Sequence, residues 1–511
     1  MKVTFKRFKY FFLLLIILFF LYILGLQLIN NSNLNVFFKI KSIIPNSLKH
    51  YAKNTIFIIP SLKKKIIELN AIIEFQKESL DRKNETLQEI SNRFFTEGYP
   101  NIPFKKKTKK ENYSDLDLPT TSLYAVKSGS GIIETKYSKY LLTIFQTNYL
   151  YNGKAHDASA SGYIEEYNDK ILIGTGDGTF LYFYKNDLNK EQFNSKTIST
   201  NIKEIIKYEK FYVHSKFGIK DILVNDDKLY ISYSNQLTTD CFNTAILVAD
   251  INFEYLNFEK FFTPNQCVNV KNDYGDFNAH IAGGRIVNFK NNKLLFSTGA
   301  FHYSKHAQND KSVFGKIISI DKTNGNWVII SKGHRNIQGL KYDSEKDIIF
   351  STEHGPTGGD EFNINFNPNT NNVKNYGWPI SSYGEHCCGG KIEKNKFRYE
   401  KAPLHKSHEK YGFVEPIKYY VPSIGISEIE KIPKKFNKEF DNDFFIASMG
   451  NNKEEGDLSI HHIKLDKELK KILKEDIIVI GERIRDLKYI ESLNKIILFI
   501  ENSPGIGVLS F

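Results

Sequence analysis

Short runs of alternating apolar and polar residues dominate the chain from about residue 120 onward. One unit recurs, in which an apolar stretch leads into a turn of Asn, Asp or Lys residues and then into a second apolar run. The second runs begin at Ile171, Leu229, Leu294, Ile348 and Ile496, and residues 444–448 are the candidate for a sixth. Because alternation with a period of two is that of a half-buried strand, each copy predicts a β-hairpin.

A recurring hairpin unit with few helical stretches is typical of a β-propeller, whose blades pack radially and gather their loops around a central channel. We therefore predict an all-β fold, a six-bladed β-propeller, over residues 120–511. A large β-sandwich, or two of them, is the alternative, but a sandwich does not by itself produce the recurring unit.

A different pattern opens the chain, because residues 10–29 are almost entirely apolar. That length is about what a helix needs to cross a ~30 Å hydrocarbon core. Four basic residues precede the run and predict a cytoplasmic N-terminus: Lys2, Lys6, Arg7 and Lys9. Residues 1–30 are thus predicted to be a cytoplasmic tip and transmembrane signal-anchor of a single-pass membrane protein, with the propeller in the periplasm or extracellular space. A cleaved signal peptide is the alternative, but no Ala-x-Ala-like site follows the run.

The segment between the anchor and the propeller divides into three parts. Residues 31–60 form a juxtamembrane segment without a clear period, and residues 61–96 show a seven-residue apolar repeat. The repeat predicts a helical, coiled-coil stalk that could pair protomers into a homo-oligomer. Gln76 and Lys83 interrupt the seam, so a lone amphipathic helix is the open alternative. Residues 97–119 form a basic linker.

The distribution of charged residues bears on which partners the chain could bind. The 70 Lys and Arg residues exceed the 58 Asp and Glu residues, but much of the excess lies in the first 110 residues. This distribution favours membrane flanks and linkers over a nucleic-acid groove, so we predict no nucleic-acid partner.

The four cysteines form two pairs in the sequence. Cys241 and Cys267 flank one predicted hairpin, and in an exported domain a disulfide between them could staple it. Cys387 and Cys388 are adjacent, which fits a vicinal disulfide or two thiols better than a zinc site, since zinc ligands are usually two to four residues apart.

The stretch 331–379 carries the densest candidate chemistry. An apolar strand, 348–351, runs into a turn that contains Gly355, Pro356, Gly358 and Gly359. Glycines let a backbone approach a ligand closely, and polar groups at a rigid junction between strand and turn are a common way to present a site.

Seven segments in and around this stretch resemble, in order, the soluble quinoprotein glucose/sorbosone dehydrogenases and the related aldose sugar dehydrogenases. The matching segments are 280–286, 315–317, 333–340, 353–361, 375–379, 422–424 and 481–486. The resemblance implies a six-bladed propeller that binds pyrroloquinoline quinone and Ca²⁺ at the mouth of its channel and takes a small-molecule sugar as substrate.

The resemblance also implies a role for individual residues. His280 matches the catalytic base, and the backbone carbonyls of Gly355 and Pro356 match the positions that hold calcium. Five residues match cofactor-contacting positions: Arg335, Asn336, His354, Arg483 and Arg485. Guanidinium groups suit this quinone because it carries three carboxylates. The alternative for Arg483 and Arg485 is a surface ion pair with Glu482 or Asp486. Asp360 and Glu361 are expected to brace the turn.

Four positions depart from the family pattern. Lys216 stands where a glutamine is common, Ala279 replaces an acidic residue before the base, and Ala300 replaces an aspartate. Gly450 occupies the place of a cofactor-binding lysine, although Lys453 follows nearby.

The sequence therefore predicts a membrane-anchored quinoprotein oxidoreductase that oxidises an aldose or similar sugar alcohol group by hydride transfer to pyrroloquinoline quinone. The departures keep an alternative open, a catalytically silent propeller that binds a glycan or a cell-envelope protein through its loop face.

Overall fold

The structure, a computed structural model, describes residues 123–147, 161–214, 216–272, 277–386, 393–450, 452, 455–501 and 505–511. The predicted anchor, juxtamembrane segment, stalk and linker lie outside these residues, as do Cys387, Cys388 and Lys453. Within the part that is described, no helix is both long and apolar enough to cross a membrane.

Strands make up most of the described chain, so the predicted all-β class is confirmed. The first twelve strands are β1 Leu123–Glu134, β2 Lys139–Thr147, β3 Gly162–Tyr167, β4 Lys170–Thr175, β5 Phe180–Tyr184, β6 Gln192–Thr200, β7 Ile219–Asn225, β8 Lys228–Thr238, β9 Cys241–Asp250, β10 Tyr255–Leu256, β11 Glu259–Phe262 and β12 Val268–Asn269.

The strands that follow are β13 Gly283–Phe289, β14 Lys293–Thr298, β15 Lys316–Asp321, β16 Trp327–Lys332, β17 Ile337–Asp343, β18 Ile348–Glu353, β19 Asp360–Phe366, β20 Lys374–Asn375, β21 Lys418–Tyr420, β22 Ile426–Ile432, β23 Asp443–Ser448, β24 Ser459–Leu465, β25 Ile472–Val479, β26 Ile484–Ile490, β27 Lys495–Ile500 and β28 Gly505–Ser510.

Helices in the described ranges are short. Three are α-helical, namely α1 Ile202–Ile205, α2 Lys210–Val213 and α3 Glu393–Lys401. Four are 3₁₀ turns, at Lys185–Asn189, Ala279–Ile281, Ser304–Gln308 and Glu409–Tyr411.

The main strands form six antiparallel groups of four, which we number in chain order. Group 1 is β3–β6, group 2 is β7, β8, β9 and β11, and group 3 is β13–β16. Group 4 is β17, β18, β19 and β21, group 5 is β22–β25, and group 6 is β26, β27, β28 and β2. The second apolar runs found in the sequence are the second strands of their groups, β4, β8, β14, β18, β23 and β27.

The first strand of each group neighbours the first strand of the next, so β3, β7, β13, β17, β22 and β26 form a closed ring. We call these the inner strands. Group 6 is completed from the other end of the described chain, because β2 pairs antiparallel with β28. Strand β1 then pairs with β2 and, through its first four residues, with β6 of group 1.

Apolar clusters fill the interfaces between neighbouring groups. Groups 2 and 3, for example, enclose Phe242, Leu294, Phe296 and Phe314, all almost completely buried. Each such side chain contributes about 1.5–3 kcal/mol by its removal from water. Both faces of a sheet are covered in this way, which explains why the second strands are apolar throughout.

The predicted disulfide between Cys241 and Cys267 is present, with a Cα–Cα distance of 5.4 Å. It ties the start of β9 to the segment that precedes β12. The pairing that the sequence allowed is therefore formed.

Candidate functional site

The inner strands all begin at the same end of the ring, which we call the mouth. Asp221 in β7 accepts the backbone N–H of Ile286 in β13 at 2.8 Å, and Asp486 in β26 accepts that of Ile164 in β3 at 2.8 Å. Each bond joins residues near the start of two neighbouring inner strands. Every residue that precedes an inner strand is therefore placed at the mouth.

The predicted site residues occupy these positions. His280 precedes β13, Arg335 and Asn336 precede β17, and Arg483 precedes β26. The segment that starts at His354 follows β18, which is antiparallel to β17, so it lies at the same end. The fold thus brings all eight predicted residues to the mouth: His280, Arg335, Asn336, His354, Gly355, Pro356, Arg483 and Arg485.

Arg335 is held mainly by residues that belong to, or directly follow, a strand of group 4. Its backbone N–H donates to Glu353 at 3.0 Å, its Nη1 donates to the carbonyl of His354 at 3.0 Å, and its guanidinium lies 5.4 Å from the centre of the Trp378 ring. Burial lowers the pKa of Arg335 to about 10, against the attraction of Asp360 and Glu353. Its Nε is buried without a hydrogen-bond partner among the described residues. A buried, unsatisfied donor of this kind suits an acceptor supplied by a ligand.

Asn336 connects neighbouring groups. Its Oδ1 accepts the backbone N–H of Gly283 at 3.1 Å and the side-chain amide of Gln338 at 3.1 Å. Gln338 in turn accepts from Nη1 of Arg485 at 3.2 Å. Hydrogen bonds therefore run from group 6 through group 4 to the loop that carries His280.

Asp360 braces the turn, as predicted, whereas the side chain of Glu361 is bonded outside the turn. Asp360 accepts the backbone N–H groups of Gly355, at 3.0 Å, and Ile426, at 2.9 Å. Glu361 accepts from His408 at 3.1 Å. Burial would raise the pKa of Asp360, but hydrogen bonds, that from His354 first, outweigh it and hold the pKa below its usual value.

The turn leaves carbonyl oxygens at the mouth. No donor among the described residues is hydrogen-bonded to the carbonyls of Gly355 and Pro356. A Cβ at Gly355 would lie 2.2 Å from the carbonyl oxygen of Gly359 and 2.5 Å from that of Gly358, so the turn requires glycine there. The described residues contain no group of three or more His, Cys, Asp or Glu side chains placed to hold a metal ion.

Arg483 and Arg485 share one buried acid. Nε of Arg483 lies 3.1 Å from one oxygen of Glu501, and Nε of Arg485 lies 2.6 Å from the other. Glu501 is only 1% exposed. The alternative pairing with Glu482 or Asp486 is wrong, because the partner is Glu501 in the adjacent strand segment.

His280 lies in the 3₁₀ turn Ala279–Ile281, which a neighbouring loop holds in place. Asn278 caps the turn by accepting the backbone N–H of His280 at 3.0 Å. Phe301 donates its backbone N–H to Ile281 at 2.8 Å and accepts that of Asn278 at 3.1 Å. Phe301 and the next residue, His302, have φ values of 49° and 67°, a region that is uncommon for bulky residues and is concentrated at functional sites.

Below the mouth lies a central cluster that sequence reasoning did not identify. Nη1 of Arg285 lies 3.0 Å from Asp221, 2.7 Å from Glu428 and 3.0 Å from Asp486, which belong to three other inner strands. All four side chains are less than 10% exposed. Burial raises the pKa of Asp221 to about 7 and that of Glu428 to about 8. The attraction of one guanidinium therefore does not offset the effect of burial on the pKa of Asp221 or of Glu428.

This cluster predicts that stability falls as pH rises from 5 to 7. Both acids bind a proton more tightly in the folded chain than in the unfolded chain, where the ordinary pKa is about 4, so the folded state holds more protons in this window. Glu428→Gln should flatten the dependence of the melting temperature on pH, with on the order of 1–2 kcal/mol of unfolding free energy involved. Glu345→Gln, the same change at an exposed site, is the control. Equal slopes for wild type and Glu428→Gln would contradict the prediction.

The positions that depart from the family pattern have distinct surroundings. The carbonyl of Lys216 accepts from Nζ of Lys220 at 2.9 Å, and Ala279 is completely buried. At Gly450 a Cβ would lie 1.9 Å from a carboxylate oxygen of Asp457. A lysine side chain therefore has no room at position 450 while Asp457 keeps its place.

Two surface clefts of 510 and 440 Å³ lie elsewhere on the described chain. The first cleft is lined by residues between 364 and 374 and by Val414. The second is lined by residues between 166 and 185 and between 435 and 492. Neither lining contains a predicted site residue. The candidate site is accordingly defined by the convergence of side chains at the mouth.

Comparisons with known proteins agree with this architecture. A family model described as Glucose / Sorbosone dehydrogenase matches residues 177–506. An uncharacterized protein of Synechocystis, slr1608, is 30% identical over 197 residues, which cover 36% of this chain and 42% of that protein. This chain thus spans less than half of the length of that relative.

One further relative and one solved structure carry a sugar dehydrogenase name. The aldose sugar dehydrogenase YliI of Escherichia coli is 24% identical over 300 residues, which cover 54% of this chain and 72% of that protein. The crystal structure of the soluble aldose sugar dehydrogenase of Escherichia coli in its apo-form superposes with a TM-score of 0.53 at 19% identity, covering 75% of this chain and 99% of that chain. The structural likeness shows a shared fold.

Proposed function

The chain belongs to the glucose/sorbosone dehydrogenase family, and from that premise we propose that it is a sugar dehydrogenase that depends on pyrroloquinoline quinone. Its substrate class is an aldose or a similar sugar alcohol group. The observation that carries the proposal is the convergence at one mouth of a histidine, three arginines and a turn whose carbonyl oxygens at Gly355 and Pro356 accept no hydrogen bond from the described residues.

The residues at the mouth fit the quinone. It is a tricarboxylate, and Arg335, Arg483 and Arg485 offer planar donors that pair with carboxylates. The buried Nε of Arg335 still needs an acceptor. Asn336 and His354 complete the proposed contacts. When bound, this quinone supplies the two-electron acceptor chemistry that no amino-acid side chain provides.

The chain's own contribution is proton transfer and positioning. A ring nitrogen of His280 would take the proton of the sugar hydroxyl as the carbon–hydrogen bond breaks, because a neutral imidazole is a suitable base near pH 7. The hydrogen bonds that Asn278 and Phe301 make to the turn fix the position of His280. Such positioning lowers the entropic part of the barrier.

Calcium is part of the proposal, with Gly355 and Pro356 as its protein ligands. Ca²⁺ prefers oxygen ligands, including backbone carbonyls, and these two carbonyls have no donor among the described residues. Asp360 would act indirectly, since its bond to the N–H of Gly355 fixes the turn.

The wider organisation follows the same proposal. The six groups of strands would be the blades of a six-bladed propeller, held outside the cytoplasm by the apolar segment 10–29 as a single-pass anchor. The repeat in 61–96 would form the stalk and allow homo-oligomers.

One experiment tests the proposed reaction directly. Purified full-length protein, supplied with pyrroloquinoline quinone and Ca²⁺, is expected to reduce an artificial electron-accepting dye when an aldose is added. Removal of calcium with a chelator should abolish the reaction, because the carbonyl site is then empty. The absence of quinone binding in calorimetry would overturn the proposal.

One observation favours a second candidate, a catalytically silent propeller that binds a glycan or an envelope protein. The carboxylate of Asp457 lies against Gly450, where the family pattern has a cation, and would repel an anionic quinone. This candidate would be supported if wild type bound a glycan on an array, if His280→Ala bound it equally well, and if the protein did not bind the quinone.

A further inference from the structure

Lys220 is the second residue of the inner strand β7, and a β-bulge sits at its position. The register of β7 against β8 shifts between Ile219 and Asp221, leaving Lys220 as the extra residue. The same single-residue shift brackets Gln338 in β17 and Arg485 in β26. A bulge re-aims the side chain of the extra residue, so the three side chains occupy equivalent places in the ring.

Two of these three side chains already meet at the mouth, since Nη1 of Arg485 lies 3.2 Å from Gln338. Lys220 is directed to the same end, because its Nζ donates at 2.9 Å to the carbonyl of Lys216, which precedes β7. Gly284 of the neighbouring strand packs against the stem of Lys220. The lysine is half-buried.

Lys220 has no acidic partner in the part of the chain that the structure describes. Its ammonium can donate three hydrogen bonds, and one acceptor, the carbonyl of Lys216, is present. Five other cations on or next to the inner strands are each paired with a buried or half-buried acid: Arg285 with Asp221, Glu428 and Asp486, Arg483 and Arg485 with Glu501, Lys341 with Glu430, and Lys488 with Glu165. A partly buried cation without a counter-charge is unfavourable for the free protein, and groups with strongly perturbed pKa values cluster at functional sites.

We propose that Lys220 is a cationic contact for a carboxylate of the anionic ligand at the mouth, acting beside Arg485. This inference rests on the proposed function, whose quinone brings three carboxylates. Lys220, which lies in group 2, would also supply a positive charge to the mouth. Group 5 lacks such a charge, because Gly450 stands where the family pattern has a lysine.

The proposal has a signature in protons. Desolvation, followed by repulsion from Arg485, lowers the pKa of Lys220 to about 7, so at pH 8 the lysine is largely neutral before binding. A bound carboxylate favours the charged form, so Lys220 takes up a proton on binding. The elements packed against β7 are β3, β4, β8 and β13, which carry the titratable side chains of Tyr163, Tyr233 and Arg285 among others. Arg485 on β26 is the charged group whose repulsion reaches Lys220.

Calorimetric titration of the full-length protein with pyrroloquinoline quinone in the presence of Ca²⁺ tests the assignment, at pH 8 in two buffers of different ionisation enthalpy. Wild type should bind with net proton uptake. Lys220→Met should bind at least about tenfold more weakly, as expected for loss of a hydrogen bond to a charged group, and without the uptake from Lys220. Lys220→Arg should retain most of the affinity but lose the uptake, because arginine is charged before binding.

The matched control is Lys228→Met, which removes the same charge at the far end of β7 and β8 and should change neither quantity. The melting temperature of Lys220→Met without ligand should equal or exceed that of wild type, whereas a structural role would lower it. Equal affinity of Lys220→Met and wild type would overturn the assignment and leave the proposed function intact. Failure of wild type to bind the quinone would overturn the proposed function, and the assignment with it.

Discussion

Replacement of His280 by asparagine is expected to lower kcat for sugar oxidation by about 10²–10⁴-fold, the usual contribution of a general base. The change should leave the fold intact, because the capping bond from the turn to Asn278 uses the backbone N–H of residue 280. Quinone affinity should stay near that of wild type, since the proposed cationic contacts are unaltered.

Steady-state kinetics with dye reduction measure this effect, and the dependence of kcat/KM on pH gives a second readout. The acid limb of the profile, which reports titration of the base, should disappear in His280→Asn. Glu345→Gln, at an exposed position in the turn between β17 and β18 and so at the opposite end of these strands from the mouth, is the control and should retain wild-type rates. Retained activity in His280→Asn would place the base elsewhere.

Replacement of Arg285 by methionine is expected to lower the free energy of unfolding by about 3–5 kcal/mol, because it leaves buried acids without their cation. Arg285 contacts Asp221, Glu428 and Asp486 at 2.7–3.0 Å, so the one change affects four inner strands. Urea denaturation followed by circular dichroism measures the loss.

A second variant keeps this prediction testable if Arg285→Met does not fold. Adding Glu428→Gln removes one of the buried acids and should restore part of the stability, so that the double variant is more stable than Arg285→Met alone. Additive losses in the two single variants and the double variant would show that the residues do not interact.

The periodic part of the fold was predictable from the sequence. Alternation around Ile171, Leu229 and Leu294 located second strands, because strands that are covered on both faces must be apolar. The disulfide Cys241–Cys267 was predictable from its position around one hairpin. The predicted anchor and stalk lie outside the described residues and stay predictions.

The sequence suggested the positions of the candidate site but not the hydrogen-bond network around them. The seven segments that resemble the family, in the same order, suggested that Arg335, His354 and Arg483 lie at the mouth. Their partners were missed because they are distant in sequence, as Glu501 is from Arg483, and an acid next in sequence suggested a wrong pairing. A bulge such as that at Lys220 adds one residue to a strand, which hydrophobic alternation over so few residues does not reveal.

The pairing of β2 with β28 has a consequence for synthesis of the chain. The strand that leaves the ribosome early, Lys139–Thr147, waits for its partner Gly505–Ser510, about 360 residues later. At roughly 5–20 residues per second, translation keeps the ring open for roughly 20–70 s. During that interval β1 covers one edge of β2 while the other edge is unpaired, and nascent chains are vulnerable to strand-to-strand association there. Emergence of β28 from the ribosome is therefore the event that allows the ring to close.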